Sequence, residues 1–301
     1  MLAAPFLKRK KSRPNLARKN PDPSLPATVG ELLASPQPDW LAALGGRAFL
    51  RRLLAHRLDV PQSRLLCEPQ LPLAPAADRL RQDFQALSRG CPAGYLFGEA
   101  GFLEWDFACD DRALCPREET AWLVDWVRRN GSQAPARILD LGCGSGVMGL
   151  SLALHFCESQ VCLVDLCPKS LSLARQNIER HKLSARTRLL ASDWWNALGT
   201  EVFDLVVANP PYVAQDDVVQ PGVLAFEPHS ALFSADQGAA DIKAILAALD
   251  PHLAPGGMAA LECGHRHHQV LASFLERLPN EWQWIQDPFG VPRYLIVRKE
   301  V

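Results

Sequence analysis

A strand that runs straight into a cluster of glycines constrains this chain more than any other feature. Ile138-Leu139-Asp140-Leu141 reads as the end of a buried strand, Gly142-Cys-Gly-Ser-Gly146 as a tight turn, and a helix opens at Val147. Glycine in such a turn lets the backbone approach a ligand without a Cβ in the way. A strand, a glycine turn and a helix in that order begin the βαβ unit of an open, mainly parallel sheet.

The rest of the chain agrees with that beginning. Strand-like runs at 137–141, 161–165, 187–191, 203–208 and 258–262 alternate with helix-like stretches, the pattern of an α/β sheet covered on both faces. Two closing strands, near 282–286 and 294–298, are expected to pair antiparallel at an edge. Ahead of the sheet, residues 26–92 read as helical, broken by the proline-rich stretches 36–38 and 69–75. One helix is expected over about 40–58, with Leu50, Leu53, Leu54 and Leu58 on one stripe. Another follows Pro75, with Leu80, Phe84 and Leu87 at i, i+4 and i+7. Such faces pack on each other as a small bundle. Residues 93–118, rich in glycine and aromatics, read as a hairpin or connector, and 119–301 as the sheet domain.

Asn209-Pro210-Pro211-Tyr212 follows directly on the apolar run Phe203–Ala208. The Asn side-chain carbonyl and the Pro210 carbonyl can each accept one N–H of a planar amide or amine, which holds a poorly nucleophilic nitrogen still. Two prolines stiffen the segment, and Tyr212 offers an aromatic wall. The glycine turn also fits a dinucleotide-binding pattern if counted from Gly144, Gly146 and Gly149, with Asp165 some 20 residues on. Three features favour S-adenosylmethionine instead: Asp140 before the glycines, Asp193 after the third strand, and the Asn-Pro-Pro-Tyr box after the fourth. In that reading Gly142, Gly144 and Gly146 cradle the donor and Asp165 binds both ribose hydroxyls. Asp193 accepts from the adenine amino group with Trp194 against the ring, and Asp140 orders the turn or meets the methionine ammonium through water.

Charge narrows the partner. Residues 1–25 form a basic tail, with seven Lys/Arg and no acid in the first 21, whereas the remaining chain carries 25 basic against 33 acidic residues. The tail reads as a solvated, disordered extension; the acidic body is a poor nucleic-acid surface. No apolar run approaches the ~18 residues of a membrane span. Nine cysteines without a Cys-x-x-Cys pair indicate reduced thiols in the cytoplasm, acting as small hydrophobes. His265, His267 and His268 form a cluster at a strand-to-helix turn, read as a solvated helix start; no metal is expected.

Further segments carry a family likeness. Tyr95-Leu-Phe-Gly-Glu99 with Phe102, Cys115-Pro-Arg-Glu-Glu-Thr120, the glycine loop, Asn209-Pro-Pro-Tyr-Val213, Phe226-Glu-Pro-His-Ser-Ala-Leu-Phe233 and Asp287–Arg293 occur in order. Over roughly residues 28–298 the chain resembles the HemK/PrmC family of N5-glutamine methyltransferases acting on class I peptide-chain release factors. The resemblance implies a Rossmann-like class I S-adenosylmethionine-dependent methyltransferase sheet with a small N-terminal helical domain. It further implies a monomer, a release factor as protein partner, and no nucleic-acid substrate. Asn209 and the Pro210 carbonyl would bind the glutamine amide, with Pro211 beside them. Tyr212 and Phe102 would line the acceptor slot, Thr120 would sit beside the donor, and Glu227 would brace the loop covering the site. The family's Pro-Arg-Pro-x-Thr-Glu is here Pro116-Arg-Glu-Glu-Thr-Ala121. A changed loop of this kind leaves a ribosomal-protein glutamine as an alternative acceptor, with a nucleic-acid base the more distant rival.

Overall fold

Ile138 and Leu139 turn to opposite faces of one sheet, and that alternation organises the larger part of the molecule. The computed structural model describes residues 25–131 and 134–300, so the expected basic tail lies outside the described residues except for residue 25. Seven strands form the main sheet: β3 (Arg137–Leu141), β4 (Gln160–Asp165), β5 (Thr187–Ala191), β6 (Phe203–Ala208), β7 (Leu253–Glu262), β8 (Glu281–Gln286) and β9 (Pro292–Arg298). Their order is β5-β4-β3-β6-β7-β9-β8. The first five run parallel, while β9 pairs antiparallel with both β7 and β8.

Helices α7 (Glu118–Asn130), α8 (Val147–His155), α9 (Pro168–Arg180) and α11 (Ala240–Ala247) cover the sheet. One face buries Ile138, Leu163, Leu205 and Ile296 against Leu123, Val127 and Leu150. The other buries Leu139, Val164, Val206 and Leu295 against Ile242, Ile245 and Leu246. The chain winds outward from β3 through β4 to β5, then returns with β6 on the other side of β3. That reversal opens a crevice at the carboxyl ends of β3 and β6, the place where open sheets of this kind bind ligands.

The helical segment has its own core around Leu50, Leu53, Leu54, Leu65, Leu80 and Leu87. Its helices are α1 (Val29–Ala34), α2 (Asp39–Ala43), α3 (Gly46–Leu58), α4 (Gln62–Cys67) and α5 (Ala77–Ser88). The single helix expected over 40–58 is split, because Gly45 and Gly46 take φ of 102° and 58°, a left-handed step that a helix interior does not accommodate and that here separates α2 from the start of α3. Arg57 of α3 makes a two-pronged ion pair with Asp83 of α5, at 2.6 and 3.0 Å, and donates to the Leu96 carbonyl at 2.8 Å. This buried fork ties the bundle to α6 (Ala93–Phe97), which leads into the antiparallel hairpin β1 (Glu99–Phe102) and β2 (Trp105–Ala108).

Six cysteines are buried, as small hydrophobes would be, but Cys67 and Cys157 are exposed and Cys167 is half-buried. Among the described residues, no helix is long and apolar enough to cross a membrane.

Candidate active site

A cavity of about 450 Å³ lies at the crevice. The loop after β3 contributes Gly142, Gly144 and Ser145, the end of β4 Asp165, the turn after β5 Asp193 and Trp194, and the end of β6 Asn209 and Pro211. Thr120, on the first turn of α7, closes one side. Eight of the residues singled out from the sequence therefore meet at one cavity, although they span residues 120 to 211.

Gly142, Gly144 and Gly146 all have positive φ, so the loop turns on residues that tolerate it. A Cβ on Gly142 would lie 3.1 Å from the Trp194 ring. The loop is held by acids on neighbouring strands. Asp165 accepts from the Gly144 N–H at 2.8 Å through Oδ2 and from the Cys167 N–H at 2.7 Å through Oδ1, which leaves a lone pair on each oxygen for a ligand. Burial raises its pKa, and the two N–H groups oppose the shift.

Asp140 does not line the cavity. Strand alternation turns it inward toward α8, where Oδ2 accepts the Gly149 N–H at 2.8 Å and Oδ1, fully buried, has no partner among the described residues. Burial pushes its pKa up to about 7, opposed by the Gly149 N–H and assisted by the nearby Asp165 charge. Gly146 likewise stands outside the lining, as the N-cap of α8. Asp193 is exposed at the cavity, and Ser192 caps the turn that follows, its Oγ accepting the Ala197 N–H at 3.0 Å. Trp194 adopts φ of 44°, a conformation rare for a bulky residue. Its indole N–H donates to Asp241 at 3.3 Å, and Asp241 in turn accepts from the Ser234 hydroxyl at 2.5 Å.

Asn209 Nδ2 donates to Thr120 Oγ1 at 3.0 Å, and the Thr120 hydroxyl donates to Glu262 at 2.7 Å. The Tyr212 hydroxyl reaches the other oxygen of the same carboxylate at 3.1 Å. No N–H of the described residues donates to the Pro210 carbonyl. Burial and the Glu262 charge push the Tyr212 phenol well up, so it stays a donor.

Two expected wall residues are placed differently. Phe102, 3 % exposed, packs edge-on against Phe107 in the core beneath the hairpin, because strand alternation in β1 turns it inward. Tyr212 lies outside the cavity lining, drawn aside by its bond to Glu262. His267 is also buried rather than solvated. Its ring stands edge-on to Tyr212 at 6.3 Å, and Nδ1 accepts the Gly264 N–H at 2.8 Å. Among the described residues no group of three His, Cys, Asp or Glu side chains could hold a metal ion.

The loop before α7 is pinned from across the fold. Buried Glu227 accepts the Cys115 N–H at 3.2 Å and pairs with Arg117. The changed 116–121 segment keeps a sound helix start: α7 begins at Glu118, and Glu118 and Glu119 place negative charge at the positive end of its dipole. Sequence reasoning missed Asn177. It is fully buried on α9, exchanges two hydrogen bonds with Ala108 and donates to the Ser145 carbonyl at 2.9 Å, fastening hairpin to glycine loop. Asp241, Ser230 and Phe233 also line the cavity; the Glu-Pro-His-Ser-Ala-Leu-Phe segment carried the only sequence signal for the last two.

These residues fit S-adenosylmethionine. The glycine turn forms a cradle that a Cβ at Gly142 would crowd, and Asp165, Asp193 and Asp241 share the cavity lining with one Arg117, a lining suited to a cationic ligand. Asp165 would hold the ribose, Asp193 and Trp194 the adenine, and Thr120 and Asn209 would stand beside the methyl group.

Sheet order, glycine turn and strand-end acids together define a class I S-adenosylmethionine-dependent methyltransferase. Residues 119–259 match the family model described as methyltransferase small domain. A release factor glutamine methyltransferase of Xylella fastidiosa strain Temecula1 is 38% identical over 224 residues, covering 72% of this chain and 80% of that protein. One from Bordetella pertussis is 36% identical over 247 residues, covering 79% and 90%. The crystal structure of a methyltransferase from Pyrococcus furiosus superposes with a TM-score of 0.50 at 20% identity, over 75% of this chain and all of that one. The chain belongs to the release factor glutamine methyltransferase family.

Proposed function

We propose that this enzyme transfers a methyl group from S-adenosylmethionine to the side-chain amide nitrogen, N5, of the glutamine in the Gly-Gly-Gln loop of a class I release factor. The donor supplies an electrophilic methyl group on a positively charged sulfur. Asn209 carries the reading: it stands at the donor cavity, gives its Nδ2 to Thr120, and accepts no hydrogen bond at its Oδ1 from the described residues.

Asn209 Oδ1 and the Pro210 carbonyl accept the two N–H groups of the substrate amide, which fixes the nitrogen and turns its lone pair toward the methyl carbon. The N–C bond forms as the carbon–sulfur bond breaks, with that electron pair going to sulfur. The methylated amide nitrogen then releases one proton to water, so no strong base is required. Tyr212, Pro210 and Pro211 keep the box stiff. The protein acts as a monomer in the cytoplasm, on a protein rather than a nucleic acid.

Labelled methyl incorporation tests the assignment across release factor, its Gln→Ala loop variant, ribosomal protein and nucleic acid. Incorporation confined to intact release factor is expected. Label that persists in the loop variant, or goes only to ribosomal protein or nucleic acid, overturns it.

A further inference from the structure

Glu262 ends β7 with its carboxylate fully buried, 1 % exposed, and receives two hydroxyls: Thr120 at 2.7 Å and Tyr212 at 3.1 Å. Burial pushes the Glu262 carboxyl up, while the two hydroxyls and the nearby Arg293 charge favour its ionised form; ionised, it has no proton to give, and both hydroxyls point their protons at it. Thr120 has then committed its one proton, and its oxygen can only accept from Asn209, 3.0 Å away. The two ends of a carboxamide are alike in shape, so packing alone does not choose between them; hydrogen bonding does. With Nδ2 drawn to Thr120, Oδ1 is the end left for a substrate N–H.

We infer that Glu262 is a positioning residue, which through Thr120 fixes the orientation of the Asn209 carboxamide so that an acceptor, not a donor, faces the amide to be methylated. The inference rests on the proposed reaction for its consequence, though not for its geometry. Reversed, Asn209 would present N–H to N–H and repel the substrate amide. The relay joins three elements distant in the chain, the start of α7, the end of β6 and the end of β7.

The test compares Thr120→Val, which keeps shape and removes the hydroxyl, Thr120→Ser, which keeps the hydroxyl, Glu262→Gln, which can donate as well as accept, and the Thr120→Val/Glu262→Gln pair. Turnover on release factor should fall roughly ten- to hundredfold in Thr120→Val and Glu262→Gln, the scale of one misdirected polar contact. Thr120→Ser should recover most of the loss, and the pair should fall no further than its worse member. The side-chain amide signal of Asn209 in a nitrogen-15 spectrum, assigned by its disappearance in Asn209→Asp, should move in Thr120→Val and Glu262→Gln and return in Thr120→Ser. Parental turnover with an unmoved Asn209 signal in both single variants overturns the inference. So does a loss in Thr120→Val that Thr120→Ser does not recover, which a packing role predicts. If the parent itself leaves release factor unmethylated, the functional reading fails, and the Asn209 signal still decides whether the relay exists.

Discussion

Gly90 and Gly222 meet backbone to backbone. A Cβ on Gly222 would lie 2.6 Å from the Gly90 Cα, and one on Gly90 would lie 2.8 Å from the Gly222 Cα. Gly90 follows the last helix of the bundle, and Gly222 sits in α10 (Pro221–Phe226), just ahead of the Glu227 that pins the loop at Cys115. Arg89 adds a contact over the Phe226 ring at 5.7 Å. The helical segment thus touches the loop region bordering the cavity at a point with no space for a side chain.

Gly222→Ala should therefore push two backbones apart. A cost of about 1–3 kcal/mol is expected from overpacking, read as a fall of several degrees in Tm. Donor affinity should change little, because neither Gly90 nor Gly222 lines the cavity. An unchanged Tm would mean the two segments separate freely.

Asp165→Ala should weaken S-adenosylmethionine binding by tenfold or more, from lost hydrogen bonds to a charged acceptor worth about 1.5–3 kcal/mol. It should also lower Tm, since the Gly144 and Cys167 N–H groups lose their acceptor. Calorimetric titration checks the first outcome and thermal unfolding the second. A parental dissociation constant would place the ribose elsewhere.

Asn209→Ala should leave donor affinity within a few-fold while turnover drops by roughly 10² to 10³, the effect of deleting one preorganised polar group at a reacting centre. Donor binding and single-turnover rates measured on the same variant separate the two. Methylation at the parental rate would remove the amide-holding mechanism.

Asp140 gives a pH dependence. Its pKa in the folded protein is pushed up to about 7 from 3.8. An acid shifted upward stabilises the fold most below its unfolded pKa and loses that contribution as pH rises through the folded value. Donor-free protein should therefore lose stability between about pH 4 and 7 on this group's account. Asp140→Asn, which cannot ionise, should gain Tm relative to the parent by more at pH 8 than at pH 5. Equal differences at both values would show that Asp140 does not titrate there.

Much of this molecule follows from local pattern. The strands were legible because β-branched and apolar runs alternate with amphipathic helices, and the glycine turn because a chain can bend that tightly only where Cβ is missing. Asp165 ends its strand and Asp193 and Asn209 come within two residues of the end of theirs, so parallel strands of one sheet were bound to deliver them to a common edge. Other features depend on which elements become neighbours. Glu262 meets Thr120 across 142 residues, Asn177 meets Ala108 across 69, and Glu227 meets Cys115 across 112. Nothing local to any of these residues announces its partner. Phe102 shows the converse: a motif named it as a wall of the site, and the pleat of a four-residue strand turned it into the core. Residue order alone set which groups reach the crevice, because strand ends are local; tertiary packing set which way they point, because a carboxylate or carboxamide is oriented by partners that only the folded sheet brings within hydrogen-bond reach.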